Sequence, residues 1–239
     1  SLDRRQRQMC IRDRTGTAEF GIDVDVPDMH YAVIVRPPVA RAKAQSVNAA
    51  NAKAMPGVIN IFEVSTGVAV VAETFWQAKQ AATKVEVQWE SRPLDSLDTD
   101  TLRRDYAAAL DANDGVEGPV EGDIDEALQS AAKTHEAEYW APLLSHSPME
   151  PMNAVVRIEG DQADVWTGIQ FPSAVPGLVS RVADIPAENV RFHQTYLGGG
   201  FGRRGSPSHV IEAAEIAKAT GKPIPVSYTH LRAHETDRY

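Results

Sequence analysis

The chain of 239 residues is 43% hydrophobic and 24% charged, an ordinary globular balance that allows one large or two modest domains. Its net charge of −9, without a Lys/Arg run interleaved with aromatics, argues against a nucleic-acid surface. Cys10 is the single cysteine, so there is no internal disulfide, no cysteine-rich zinc site and no iron–sulfur cluster on four local thiolates, and no apolar run approaches the roughly 18 residues of a membrane span.

Residues 1–14, "SLDRRQRQMCIRDR", and 229–239 show neither helical nor strand periodicity. Disordered tails are one reading. The other is that "QMCIRDR" and "SYTHLRAHETDRY" resemble translated sequencing-adapter read-through, which makes the chain a fragment of a longer protein. From Thr15 to about Arg92, "HYAVIVR", "GVINIFEV", "GVAVVAE" and "KVEVQWE" are short β-branched runs bounded by Pro or Gly. Between them "SVNAANAKAM" and "TFWQAKQAAT" are Ala-rich and predict helices, the second with Thr74 as N-cap. This is a compact α/β unit.

Residues 93–122 are acidic and turn-rich, apart from a short helical pattern around Thr101 to Asp111, and read as a linker. A second unit, 123–228, opens on a short helix capped by Asp123, followed by a predicted strand "THEAEYWA". Next, "NAVVRIEG" and "DQADVWTG" alternate about a Gly-Asp turn, the signature of a hairpin. Trp76, Trp89, Trp140 and Trp166 lie in or beside regular elements and are expected to serve core or edge packing.

The strand "VRFHQTYL" then runs into "GGGFGRR", and "SPSHVIEAAEIAKATGKP" reads as a helix with Ser206 as N-cap, Pro207 at N1 and Gly221 past its end. Val210, Ile211, Ala214 and Ala217 share one face, so this helix is expected to pack on a sheet. Strand, glycine loop and helix N-terminus together aim backbone N–H groups at an anion or polar ligand, with Arg203 and Arg204 able to add charge-assisted hydrogen bonds. The loop lacks the Gly-Lys-Ser/Thr ending of a P-loop and the context of a dinucleotide fingerprint, so a purely structural turn stands beside the binding reading.

"GGGFGRR" together with the earlier "HSPMEPMN" resembles the molybdenum-binding large subunit of the xanthine dehydrogenase and aldehyde oxidase family. Its two-arginine ending is most similar to the isoquinoline 1-oxidoreductase β-subunit branch. Over residues 15–228 the resemblance implies an α+β or α/β fold: an α/β hammerhead domain (15–92), the linker (93–122) and the start of a molybdenum-cofactor-binding α/β domain (123–228). It places Gly199, Gly200, Phe201 and Gly202 against a molybdenum–pterin cofactor, expected as the cytosine dinucleotide form, with the Phe201 amide near a metal oxygen.

Arg203 and Arg204 stand where many relatives carry Gly-Lys, so contact with the cofactor and a structural salt bridge remain alternatives. His146, Met149, Glu150 and Asn153 fall in the stretch that lines the cofactor side in the family, although a hydrogen-bonded His146–Glu150 loop pair is the simpler reading and no metal ligand is assigned. The resemblance further implies oxidation of N-heterocycles or aldehydes with water as oxygen source, by means of a general-base glutamate outside this chain. Electrons would pass to iron–sulfur clusters on a separate small subunit, in a soluble protein of the bacterial cytoplasm or periplasm, and the fragment alone would be inactive. A phosphate- or nucleotide-binding module without molybdenum, or a non-catalytic interaction domain, are the alternatives.

Overall fold

The computed structural model describes residues 14–39, 41–112, 115–116, 118–119 and 121–227. Apart from Arg14, the expected tails therefore lie outside the described residues.

The first α/β stretch supplies β1 (Tyr31–Val35), β2 (Ala44–Asn48), the short helix α1 (Ala50–Lys53), β3 (Val58–Val64), β4 (Gly67–Ala72), α2 (Phe75–Ala82) and β5 (Glu86–Trp89). Thr74 caps α2 as expected, its hydroxyl accepting from the Gln77 N–H. The helix predicted over "SVNAANAKAM" is a correction. Its first residues form β2, which pairs antiparallel with β5 through Val47↔Val87 and Asn48↔Glu86, and only Ala50–Lys53 is helical. Pairing to a partner forty residues away overrides the local alanine content.

The linker contributes α3 (Thr99–Ala112), and α4 (Ile124–Ser130) follows, capped by Asp123, whose carboxylate accepts from the Glu126 N–H. Neither helix buries a residue. The strand expected over "THEAEYWA" does not form; residues 134–141 are irregular and almost wholly exposed, with Tyr139 at 91%. Alternation alone makes no strand where no ladder partner satisfies the backbone.

The rest of the fold consists of β6 (Asn153–Glu159), β7 (Gln162–Thr167), α5 (Val175–Ala183), β8 (Val190–Gln194), α6 (Ser208–Thr220) and β9 (Ile224–Ser227). The β6–β7 hairpin closes at Glu159↔Gln162 around Gly160–Asp161, with Gly160 at φ +60°, as the Gly-Asp turn predicts. Helix α6 starts at Ser208 with Pro207, not Ser206, in the N-cap position and no side-chain cap, and it ends on Gly221 in the left-handed conformation.

Seven strands form one sheet in the order β3-β4-β1-β9-β6-β7-β8, so the late strand β9 sits between β1 and β6 and the sheet draws on both halves of the chain. Helices α5 and α6 cover one face. The core there joins Ala69 and Val71 of β4 with Val156, Val165, Val179, Val210, Ala213, Ala214, Ile216 and Ile224. Alternate β4 residues, Val68 and Val70, face the other way into a second cluster with Ala52, Ile61 and Ala81. Buried on both faces, this strand reads as the unbroken run "VAVVA", and each fully buried valine contributes about 1.5–3 kcal/mol over its exposed state. Across the sheet from α6, Val24 and Val26 pack on Val155 and Trp166.

Candidate functional site

Strand β8 delivers the glycine loop, and the segment just after it is held from both sides. The Thr195 N–H donates to the Thr167 carbonyl at 3.3 Å and the Tyr196 N–H donates to the Glu19 carbonyl at 3.2 Å, where Phe20 and Tyr196 form an isolated bridge. Gly198 then meets Glu150 in two hydrogen bonds: the Glu150 N–H donates to the Gly198 carbonyl at 3.0 Å, and the Gly198 N–H donates to Glu150 Oε2 at 2.8 Å. A Cβ on Gly198 would stand 2.3 Å from Glu150 Cβ, so close backbone approach requires glycine here.

Glu150 is buried at 8% exposure. Its Oε1 accepts from Asn153 Nδ2 at 2.8 Å and its Oε2 also takes Arg204 Nη2 at 2.7 Å. The expected His146–Glu150 pair is thereby corrected: the carboxylate pairs with Arg204, and His146 is exposed beside Gly202. A guanidinium offers several directed donors to one carboxylate and the surrounding carbonyls, which a single imidazole cannot match.

Arg204 has no exposed surface. Its Nε donates to the Gly199 carbonyl at 2.8 Å, Nη1 to the Gly168 carbonyl at 3.1 Å, and Nη2 to the Glu150 and Pro151 carbonyls at 3.0 and 3.3 Å as well as to the Glu150 carboxylate. Burial pulls the guanidinium pKa down and the Glu150 charge opposes this. Of the two alternatives for Arg204, the geometry is that of a structural salt bridge, since its donors point into the protein.

The remaining predicted residues form the outer turn. Gly199, Phe201 and Gly202 have φ of +100°, +50° and +89°. A phenylalanine in that region is uncommon and strained by about 1–3 kcal/mol, and the Phe201 side chain is 70% exposed. The turn closes through Arg203 N–H to the Gly200 carbonyl at 2.8 Å and Gly202 N–H to Gln170 Oε1 at 3.1 Å. The N–H groups of Gly199, Gly200 and Phe201 have no partner among the described residues. Arg203 is half-buried, Asn153 is buried and Met149 is 91% exposed.

Sequence reasoning missed Gln170, which also packs where a Gly200 Cβ would stand, and Gly168, whose carbonyl receives Arg204. Both follow the hairpin in "TGIQ", and no periodicity or spacing marks them. Of the four tryptophans, Trp76 departs from packing: it is 63% exposed in the first turn of α2, with Lys79 Nζ 6.0 Å from its ring centroid.

Two further polar centres lie in the second half of the chain. On the face opposite α6, Asp164 accepts from Arg157 and Arg191 at 2.8 Å and lies 2.7 Å from His193 Nε2, whose ring stacks on Trp166. Burial alone would raise the Asp164 pKa, but these three partners hold it at about 2. In α6, fully buried His209 is pushed down to about 3 by burial and by Arg204 and Arg203.

Residues 111–236 match the molybdopterin cofactor-binding domain family. The chain is 28% identical over 224 residues to isoquinoline 1-oxidoreductase subunit beta of Brevundimonas diminuta, covering 90% of this chain and 29% of the relative. It is also 28% identical over 248 residues to the aldehyde oxidoreductase molybdenum-binding subunit PaoC of Escherichia coli K12, covering 89% and 32%. The chain thus spans about a third of the length of these two relatives. Among solved structures, aldehyde oxidoreductase from Desulfovibrio gigas superposes with a TM-score of 0.71 at 20% identity, covering 92% of this chain and 29% of that one. Quinoline 2-oxidoreductase from Pseudomonas putida 86 gives 0.69 at 22% identity, covering 92% and 33%. At these identities the two structures show the fold alone. The mixed α/β fold of this chain is similar to part of molybdenum-hydroxylase large subunits, as the family resemblance implies.

Proposed function

We propose, from the premise that this chain belongs to the molybdopterin cofactor-binding domain family among the molybdenum-binding subunits of the xanthine dehydrogenase and aldehyde oxidase family, that it is part of a molybdenum hydroxylase. The parent protein would oxidise an N-heterocycle or an aldehyde. The observation that carries the reading is the outer turn of the glycine loop, where three consecutive backbone donors, Gly199, Gly200 and Phe201, lie without partners inside the matched region.

Such a row of amides fits an oxygen-rich anionic group. Among the described residues no three His, Cys, Asp or Glu side chains converge as a metal-ligand set, so the chain would hold a molybdenum–pterin group through backbone donors and not through coordination. Gly199, Gly200, Phe201 and Gly202 would form the contact surface with Arg203 at its margin, and Arg204 would act from beneath. When bound, the cofactor supplies the two-electron oxidation with water as oxygen source. The protein residues would contribute shape and fixed dipoles: glycines admit close approach, and the amides present partial positive charge.

The same reading assigns residues 15–92 to a hammerhead unit, 93–122 to an acidic linker and 123–228 to the cofactor unit, with β9 returning to the first unit's β1. An iron–sulfur subunit is the proposed electron acceptor, supported by relatives that are themselves named as subunits of larger enzymes. The cytosine dinucleotide form of the cofactor is proposed on the family resemblance of the loop alone.

Molybdenum and pterin analysis of the full-length protein tests the assignment. Stoichiometric metal and pterin are expected. A folded protein that contains neither, yet binds inorganic phosphate at the loop, would instead establish the phosphate-binding alternative.

A further inference from the structure

We infer that Glu150 and Arg204 are positioning residues, a buried pair that sets which way the amides of the glycine loop face. The identity of the ligand rests on the functional reading above; the orientation of the loop does not.

In a trans peptide the C=O of one residue and the N–H of the next lie in one plane and point in opposite directions. The Gly198 carbonyl is turned inward by the Glu150 N–H at 3.0 Å, so the Gly199 N–H points away from Glu150. The Gly199 carbonyl is turned inward by Arg204 Nε at 2.8 Å, so the Gly200 N–H points away from Arg204. Both amides are without partners among the described residues, whereas the Gly198 N–H, one step earlier, is consumed by the Glu150 carboxylate. Bonded and unbonded donors therefore divide at the point where the pair acts.

Two features separate this arrangement from ordinary packing. The pair joins residues 54 apart in sequence and reaches three stretches of backbone at Glu150–Pro151, Gly168 and Gly198–Gly199. The turn it supports also carries a phenylalanine at φ +50°, a conformation that needs outside support to persist. An arginine is required in this role, because one planar group must reach the Gly199 and Gly168 carbonyls and the Glu150 carboxylate together, and an ammonium cannot span them.

The test uses the full-length protein. Hydrogen exchange read at single residues is expected to show the Gly198 amide protected without cofactor, the Gly199 and Gly200 amides unprotected, and those two gaining protection on loading. In Arg204→Lys and Glu150→Gln, Gly198 exchange should quicken about tenfold and cofactor content per folded chain should drop about tenfold, the size expected when a charged hydrogen bond is lost. Millimolar guanidinium should restore part of the content in Arg204→Ala. Glu212→Gln, at a buried ion pair away from the loop, serves as the control and should lower the melting temperature without changing cofactor content. The inference is overturned if loading leaves Gly199 and Gly200 unprotected, or if the Arg204 and Glu150 variants lose melting temperature but keep wild-type content, as a merely structural pair would. A wild-type protein lacking molybdenum and pterin overturns the functional reading alone, because the contrast between Gly198 and its two neighbours still judges the pair.

Discussion

Arg36, just past the end of β1, grips Glu212 in the middle of α6 through two hydrogen bonds of 2.8 and 2.6 Å, joining the first α/β stretch to the helix that follows the glycine loop. Glu212 is fully buried and also accepts from the Thr66 hydroxyl. A second tie lies one turn on, where Ser65 donates to Glu215 through both its backbone N–H and its hydroxyl at 3.0 Å. The β3–β4 turn and the end of β1 thus clasp α6.

Arg36→Ala should therefore destabilise the fold by about 3 kcal/mol, because it takes the paired positive charge from a buried carboxylate. The double variant Arg36→Met with Glu212→Leu should recover much of that loss, since no charge remains to be solvated. Urea unfolding of both variants decides: equal stability in the single and double variants would show that the pair is not a coupled unit.

Of the helix caps foreseen in the sequence, the two that form should differ in their worth. Thr74→Ala removes the cap of α2, a helix whose Ala78 and Ala81 are fully buried, and should cost about 1 kcal/mol. Asp123→Ala removes an equally well-formed cap from α4, which buries nothing, so its helix can fray without disturbing the core. Its effect on global unfolding should be within about 0.5 kcal/mol.

The pH dependence of stability follows from His209 and Asp164. The folded pKa of His209 is depressed to about 3 from 6.5, so the unfolded chain takes up a proton there that the folded chain refuses. Its stabilisation is complete above 6.5 and is lost as pH falls from 6.5 toward 3, by up to about 1.4 kcal/mol per unit. Asp164, held at about 2 against 3.8, adds a second loss between 3.8 and 2. His209→Leu should flatten the upper limb and leave the lower one. Identical slopes between pH 6.5 and 4 in wild type and variant would remove His209 from the account.

How much of this was legible depended on where the deciding interaction lay. Strands β1, β3 and β4 carry their own β-branched runs, and the Gly160–Asp161 turn announces the β6–β7 hairpin, so local chemistry sufficed. Strand β2, "AQSVN", is half polar and becomes a strand only because β5 pairs with it, whereas "THEAEYWA" alternates well and has no partner. At the site, the glycines and the Phe201 turn were visible as a local anomaly. The Glu150–Arg204 pair was not, because two ionisable residues 54 positions apart have no common signal until the β6–β7 hairpin and β8 bring them together. Gln170 was hidden for the same reason.

The final prediction separates the glycines by what each one faces. A Cβ on Gly198 would lie 2.3 Å from Glu150 Cβ, and the two residues are already locked by two hydrogen bonds, so neither backbone can retreat without breaking them. A Cβ on Gly200 would meet the Gln170 side chain at 3.0 to 3.4 Å, at a residue whose φ lies outside the left-handed region. Backbone strain therefore plays no part at Gly200, and a flexible amide can swing aside, though in moving it releases the Gly202 N–H that it now accepts. Gly198→Ala should cost about 1–3 kcal/mol of global stability, as overpacking of a rigid contact does. Gly200→Ala should cost under about 1 kcal/mol while loosening the outer turn. Melting temperature, set beside exchange of the Gly202 amide, reads both effects. If Gly198→Ala melts with the wild type, the close approach to Glu150 is not what demands glycine. If Gly200→Ala leaves Gly202 protected, Gln170 is not the brace of the turn.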